Sequence, residues 1–290
     1  MTELYFELQQ LSYAYADGTE ALTDITLQIP KGKKIAILGH NGAGKSTLFQ
    51  HLNGILKPTA GNITFCNEAL SYSRKALSAL RQQVGIVFQD ADNQLFSGTV
   101  KQDIAFGPLN LGWSQEKIEE KIAWAVAQTE VESLLEKPIH FLSVGQKKRV
   151  AMAGVLAMEP SVLLLDEPTA GLDNYYAAQL LHYLAKLENG QRTFLLATHD
   201  IALAYEWADQ IIVMEEGKVI YNGDPVELFY QEKLLELAHL ERPWVFDITL
   251  ALQNKNLFDK NIQMPRSKED LQNLIEHLGD RHSNNLQTIL

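Results

Sequence analysis

The stretch Gly39-His40-Asn41-Gly42-Ala43-Gly44-Lys45-Ser46-Thr47 constrains this chain more than any other, because it satisfies G-x-x-x-x-G-K-[ST] at every fixed position. Lys34 to Leu38 before it form a short, β-rich apolar run; Leu48, Leu52 and Ile55 after it recur at helical spacing. Strand, glycine loop and helix in that order make a phosphate cradle. Gly39, Gly42 and Gly44 allow positive φ and a close backbone approach, so several N–H groups can converge on an anion. Lys45 can reach terminal phosphates, the Ser46 hydroxyl can ligate Mg²⁺, and the helix that starts here presents its positive end.

The rest of the composition narrows what such a cradle can serve. At 290 residues with 46% hydrophobic content, the chain suits one large domain plus an appendage, or two modest domains. No apolar run approaches the roughly 18 residues of a membrane span. The start, Met1 to Glu7, is acidic and lacks a basic stretch before an apolar one, so no signal peptide is expected and the chain should remain in the cytoplasm. Its lone cysteine, Cys66, excludes an internal disulfide and reads as a buried or half-buried small hydrophobe. The net charge of −11 and a densest basic cluster of only Lys147-Lys148-Arg149 argue against a nucleic-acid partner.

Along the chain, Leu4 to Ile29 alternates and turns at Asp17-Gly18 and Pro30-Lys31-Gly32, which predicts an antiparallel sheet beside the phosphate site. Tyr13 and Tyr15 share one face there. Either ring could stack on a base, or both could belong to the core. Val84 to Gln89 reads as a buried strand ending on an amide that could coordinate Mg²⁺, orient water, or merely be solvated. From Asp90 to Leu142 the pattern turns helical, with Ser114 as an N-cap. Its first part, Asn93 to Phe96 through Phe106-Gly107-Pro108, sets apolar residues among turn formers, suited either to a partner or to its own core.

Leu142-Ser143-Val144-Gly145-Gln146 before a helix predicted over 150–157 offers a second anion-binding end. That makes most sense if it serves the nucleotide of another subunit. Val162 to Asp166 is an apolar strand closing on two carboxylates: Asp166 can hold Mg²⁺ and Glu167 can accept a proton from attacking water. Ala170 to Asp173 turns into a helix predicted over 175–187. His199 leaves the next strand where active-site residues of open α/β sheets lie, within reach of a γ-phosphate. The remaining histidines show no paired spacing, so no histidine metal site is expected. A hairpin follows over 209–221; beyond it, 228–240 reads as helical, and Ser267 caps a run with Leu271, Leu274, Ile275 and Leu278 on one face. That face should pack on its own domain or on a second copy.

Taken in this order, the motifs resemble the ATP-binding subunits of ABC transporters over roughly residues 4–227. The resemblance makes Gly39 to Ser46 the Walker A motif, Gln89 the Q-loop, Leu142 to Gln146 the signature, Val162 to Asp166 with Glu167 the Walker B motif and catalytic glutamate, Asp173 part of the D-loop, and His199 the switch histidine. Tyr15 falls where the family's adenine-stacking aromatic stands. Val144 departs from the pattern, which has glycine there; Ser143 and Gly145 are kept. Phe88-Gln89, Asp92 to Phe96, Thr99-Val100, Phe106 to Asn110 and Leu240 to Pro243 are similar to the ATPases of energy-coupling factor (ECF) transporters, first those of cobalt and nickel importers.

The resemblance implies an α/β P-loop NTPase with an antiparallel β subdomain, an inserted helical subdomain at about 90–157, and a mostly helical extension at 226–290, a candidate for dimerisation, after an ATP-binding domain at 1–225. It implies ATP and Mg²⁺, and a head-to-tail pair of two copies or two related subunits. It further implies membrane subunits docking near residues 90–110, and a peripheral place on the cytoplasmic face of the cell membrane. The cargo, metal ion or vitamin, is chosen by those membrane subunits. A soluble repair- or translation-type ATPase would need a coiled-coil insertion or tandem cassettes. A binding module without turnover would lack Glu167 or His199, and a GTPase would carry Asn-Lys-x-Asp.

Overall fold

Period-two burial builds the first layer. The computed structural model describes residues 3–188, 190–259 and 261–276, without the side chains of 174–176. Strand β1 (Leu4–Ala14) pairs antiparallel with β2 (Glu20–Pro30), Phe6 opposite Ile29 and Leu8 opposite Leu27, so alternate apolar residues face one side. After β3 (Lys34–Leu38) and the phosphate loop comes α1 (Lys45–Leu52). The chain then returns to β1 as β4 (Ala60–Phe65), Leu8 opposite Ile63, and ends this sheet with β5 (Glu68–Ala69), in the order β2-β1-β4-β5.

Two expectations fail here for local reasons. Cys66 is exposed, because Cys66 and Asn67 form the two-residue loop of the β4–β5 hairpin with φ of +50° and +65°. Ile55 is also exposed: α1 stops at Leu52, and the turn at Gly54, φ +69°, carries the chain away from the helix's apolar stripe.

The second sheet positions the site. Strands β6 (Val84–Val87), β7 (Val162–Asp166), β8 (Thr193–Thr198) and β9 (Gln210–Glu215) join β3 in parallel, and β10 (Lys218–Gly223) closes one edge antiparallel, in the order β10-β9-β3-β8-β7-β6. Residues of β3, β7 and β8 are buried almost without exception, as a sheet covered on both faces requires. Register aligns the strand ends: Leu38 lies beside Thr198, Asp166 beside Ala197, and Val87 beside Leu165. Whatever leaves those ends converges on one edge.

Helices α2 (Arg74–Gln83), α3 (Val100–Asn110), α4 (Gln115–Thr129) and α5 (Val144–Leu156) follow in sequence. The predicted N-cap Ser114 accepts from the Lys117 N–H. Helix α3, started by a reciprocal capping box of Thr99 and Gln102, runs through Gly107 and Pro108. Helix α5 begins six residues before the predicted 150–157, at Val144, since Ser143 and Gln146 form a second capping box. The three helices α3, α4 and α5 share one core with Leu163, Leu165 and Leu196 of the sheet.

Helices α6 (Asn174–Lys186) and α7 (Ile201–Trp207) precede the C-terminal segment, where 228–240 is not one helix. It divides into the end of α8 (Pro225–Phe229) and all of α9 (Glu232–Leu237), separated at Tyr230-Gln231, before α10 (Trp244–Asn254). Ser267 caps the last described helical run, 268–276, and accepts from the Asp270 N–H. Leu271 and Leu274 pack on Val245, Phe258 and Leu252 of the same chain, while Ile275 stays exposed. Leu278 lies outside the described residues. Arg266 fastens this segment by donating to the carbonyls of Tyr205 and Ala208, and Tyr205 Oη donates to Pro265 O at 3.1 Å.

Candidate active site

A cavity of about 430 Å³ opens where the parallel strands end, lined by Tyr15, Lys45, Ser46, Thr47, Gln89 and Glu167 together with His40, Asn41, Gly42 and Gly44. The glycines serve two purposes. A Cβ on Gly39 would come within 2.4 Å of Met214 O, and one on Gly44 within 2.7 Å of Ala21 O, so these two let the loop rest on β9 and β2. Gly42, with φ +87°, faces open space.

Lys45 is buried behind the loop. Its Nζ donates to Gly39 O at 2.6 Å and His40 O at 3.2 Å, and lies 3.5 Å from Glu167 Oε1. The other carboxylate oxygen, Oε2, meets His199 Nδ1 at 2.8 Å. Against a carboxylate only an N–H attracts, so Nδ1 carries hydrogen and Nε2 is left toward solvent; the His199 side chain is 69% exposed while that of Glu167 is 6% exposed. Glu167 therefore bridges a lysine and a histidine. Its backbone sits at φ +45°, held by its N–H to Ala197 O and by its carbonyl, which accepts from Ala170 N–H. A non-glycine residue there stores of order 1 kcal/mol of strain.

Asp166, 4% exposed, is the last residue of β7, immediately before Glu167. Burial pushes its carboxyl above the ordinary value of 3.8; a hydrogen bond from Ser46 pulls it down, the Glu167 charge pushes it up, and Lys45 pulls it down. Its Oδ1 is buried with no hydrogen-bond partner. Tyr15 stands at the rim, half exposed, with its hydroxyl 2.9 Å from Thr47 Oγ1 and its ring edge-on to Tyr13. Tyr13 in turn leans on the buried His51. The tyrosines thus divide the two roles the sequence left open: Tyr13 packs against the core and Tyr15 faces the cavity.

Ser143, Gly145, Gln146 and Asp173 do not line this cavity. Ser143 and Gln146 cap α5, and Val144 beside them is exposed. The basic cluster is consumed internally: Lys147 pairs with Asp92, Lys148 donates to the carbonyls of Glu167 and Pro168, and Arg149 to those of Thr129 and Glu130. Lys148 is the residue sequence reasoning missed. Once α5 is started at Val144, Lys148 falls in a buried stripe with Ala151, Met152 and Val155, and a lysine at such a position demands partners.

Fold and site together define a P-loop ATPase of the ABC type. The ABC transporter family profile matches residues 22–170. The energy-coupling factor transporter ATP-binding protein EcfA3 of Clostridium perfringens is 45% identical over 259 residues, covering 89% of this chain and 91% of that protein. EcfA of Methanococcus maripaludis is 47% identical over 250 residues, 86% and 90% of the two chains. The chain belongs to the ECF-type ATP-binding proteins of the ABC transporter family. Among solved structures, cbiO1 of Clostridium perfringens, described as part of the ABC transporter complex cbiONQ, superposes with a TM-score of 0.72 at 45% identity, over 87% of this chain and 99% of that one. The dimeric post-hydrolysis ATP-binding cassette MJ0796 with ADP and Pi gives 0.69 at 27% identity, over 76% and 98%.

Proposed function

We propose that this chain powers import of cobalt or nickel ions through an ECF-type membrane transporter, with residues 1–225 as the ATP-binding domain, 90–157 as its helical subdomain and 226–290 as an extension. The observation that carries the catalytic part is the convergence of Lys45, Asp166, Glu167 and His199 on one sheet edge. The cargo reading rests on the resemblance of residues 88–110 and 240–243 and on the likeness to cbiO1.

ATP would lie with its base on Tyr15 and its phosphates along the N–H groups of residues 40–47, reached by Lys45. The site also fits Mg²⁺: the Ser46 hydroxyl and the Gln89 amide line the cavity, and the buried Asp166, hydrogen-bonded by Ser46, keeps an unpartnered Oδ1, so the three offer hard oxygen ligands. Bound there, Mg²⁺ neutralises charge on the β- and γ-phosphates. Glu167 accepts the proton of the attacking water. His199 meets Glu167 through Nδ1, which leaves the Nε2 edge of its ring to face the γ-phosphate.

The second face of the nucleotide is completed by Ser143 and Gly145 of another ATPase subunit, a second copy in the simplest case, with Asp173 beside that interface. Membrane subunits dock at the cytoplasmic face on the groove of about 460 Å³ lined by Arg81, Phe96, Phe106 and Met158; Phe96 is 66% exposed and stacks edge-on with Phe106 at 4.6 Å. No helix among the described residues is long and apolar enough to cross a membrane.

Uptake into liposomes holding the chain with its membrane subunits tests the cargo. ATP should drive accumulation of Co²⁺ or Ni²⁺, and Glu167→Gln should abolish it; accumulation of a vitamin instead would reassign the cargo, and none would refute coupling. Tyr15→Ala should weaken ATP about tenfold by loss of base stacking. Fluorescence titration against tripolyphosphate separates the causes: an equal loss there would place the role of Tyr15 in the loop, through Thr47, rather than on the base.

A further inference from the structure

Lys148 sits on the second turn of α5, 5% exposed, and its Nζ donates to Pro168 O at 3.0 Å and to Glu167 O at 3.3 Å. It is the side chain that reaches from the signature helix to the backbone of the residue read above as the base. That backbone is the strained one, at φ +45°. Its relaxation toward negative φ would rotate the Glu167 carbonyl away from Lys148 and swing the carboxylate off Lys45 and His199. Burial lowers the Lys148 ammonium from its ordinary value and the charges of Glu167 and Asp90 oppose that shift, so a lysine is held here at a cost that a passive filler such as methionine would avoid.

We propose that Lys148 is a positioning residue for ATP hydrolysis: by holding the Glu167 and Pro168 carbonyls it fixes the strained backbone that aims Glu167, and it mechanically joins that backbone to the helix carrying Ser143 and Gly145. The inference rests on Glu167 being the base. Ser143 caps α5 at one end of a rigid helical turn and Lys148 grips the Glu167 loop at the other, so a shift of the helix start is passed to the carboxylate of the same chain. Lys147 adds a parallel tie, to Asp92 in the loop after Gln89.

The test compares Lys148→Met, Glu167→Gln and the double variant with the parent chain, in steady-state and single-turnover ATP hydrolysis, with melting temperature and ATP affinity measured on the same samples. Lys148→Met should lower kcat about tenfold to a hundredfold, the range of one or two hydrogen bonds from a charged donor, with KM and ATP affinity unchanged. On the Glu167→Gln background the same substitution should cost less than about twofold, because there is no base left to aim. A kcat within about twofold of the parent, or a full further loss in the double variant, overturns the proposal. Should Lys148→Met fail to melt cooperatively, Lys148→Gln, polar but one bond shorter, carries the same test with the same limits. If Glu167→Gln itself keeps full turnover, the assignment of the base fails instead, and the two failures are told apart.

Discussion

Glu167→Gln is expected to bind ATP at least as well as the parent, to lose turnover by about a hundredfold to ten-thousandfold, the usual contribution of a general base, and to accumulate as a closed dimer. The substitution is nearly isosteric. It keeps the backbone at φ +45° and the ties to Ala197 and Ala170, so the fold should not register it. What changes is charge. The amide no longer neutralises Lys45, which becomes freer to meet phosphate, and it cannot take a proton from water. Sedimentation with ATP and Mg²⁺, alongside steady-state turnover, reads both effects. A dimer with little turnover supports a sandwich of two copies. A monomer that demonstrably holds ATP would send the search to a different ATPase partner, and turnover within about tenfold of the parent would remove Glu167 as the base.

Asp166→Asn should separate stability from activity. Because burial raises the Asp166 carboxyl above 3.8, its contribution to stability is fully present below that unfolded-state value and is lost as pH rises through the higher folded-state value. At neutral pH the buried carboxylate is a net cost. Asparagine keeps an oxygen for the Ser46 hydroxyl without the charge, so without nucleotide the variant should be more stable by about 1 kcal/mol, roughly 2–4 °C in Tm for a chain of this size. Calorimetry at pH 8 should show the gain; on acidification through the raised value the gap should narrow, and it should close below 3.8. Turnover should fall at least about a hundredfold, since on the proposed reading a bound Mg²⁺ would lose its charged ligand. A variant that melts below the parent at pH 8 would mean that Asp166 is stabilised by its neighbours more than burial penalises it.

Much of this was legible in the sequence because the carriers are local. The phosphate loop, the apolar runs ending in Asp166 and before His199, and the alternation of β1 and β2 each depend on a few consecutive residues, and each stands where its pattern puts it. What was not legible depends on partners distant in sequence or on caps. The start of α5 was misplaced because Val144 to Lys148 lacks helical hydrophobic period, and reciprocal hydrogen bonds of Ser143 and Gln146 set it instead. Cys66 is hydrophobic by type, but the hairpin register assigns it to a loop. Gly39 and Gly44 also approach the carbonyls of Met214 and Ala21, a closeness that no local pattern reveals.

The way Lys45 is held has a consequence for selectivity among anions. Two carbonyls and one carboxylate already occupy its surroundings. A lone sulfate or inorganic phosphate can offer that ammonium little beyond what Glu167 already offers, and must be desolvated to do so. On the proposed reading, a nucleoside triphosphate would bring a ring to Tyr15 and a row of oxygens to the loop, and would outcompete the internal carboxylate by acting at several points together. The pairing acts as a threshold: it discounts small anions that bind at one point and yields to a ligand that binds at several.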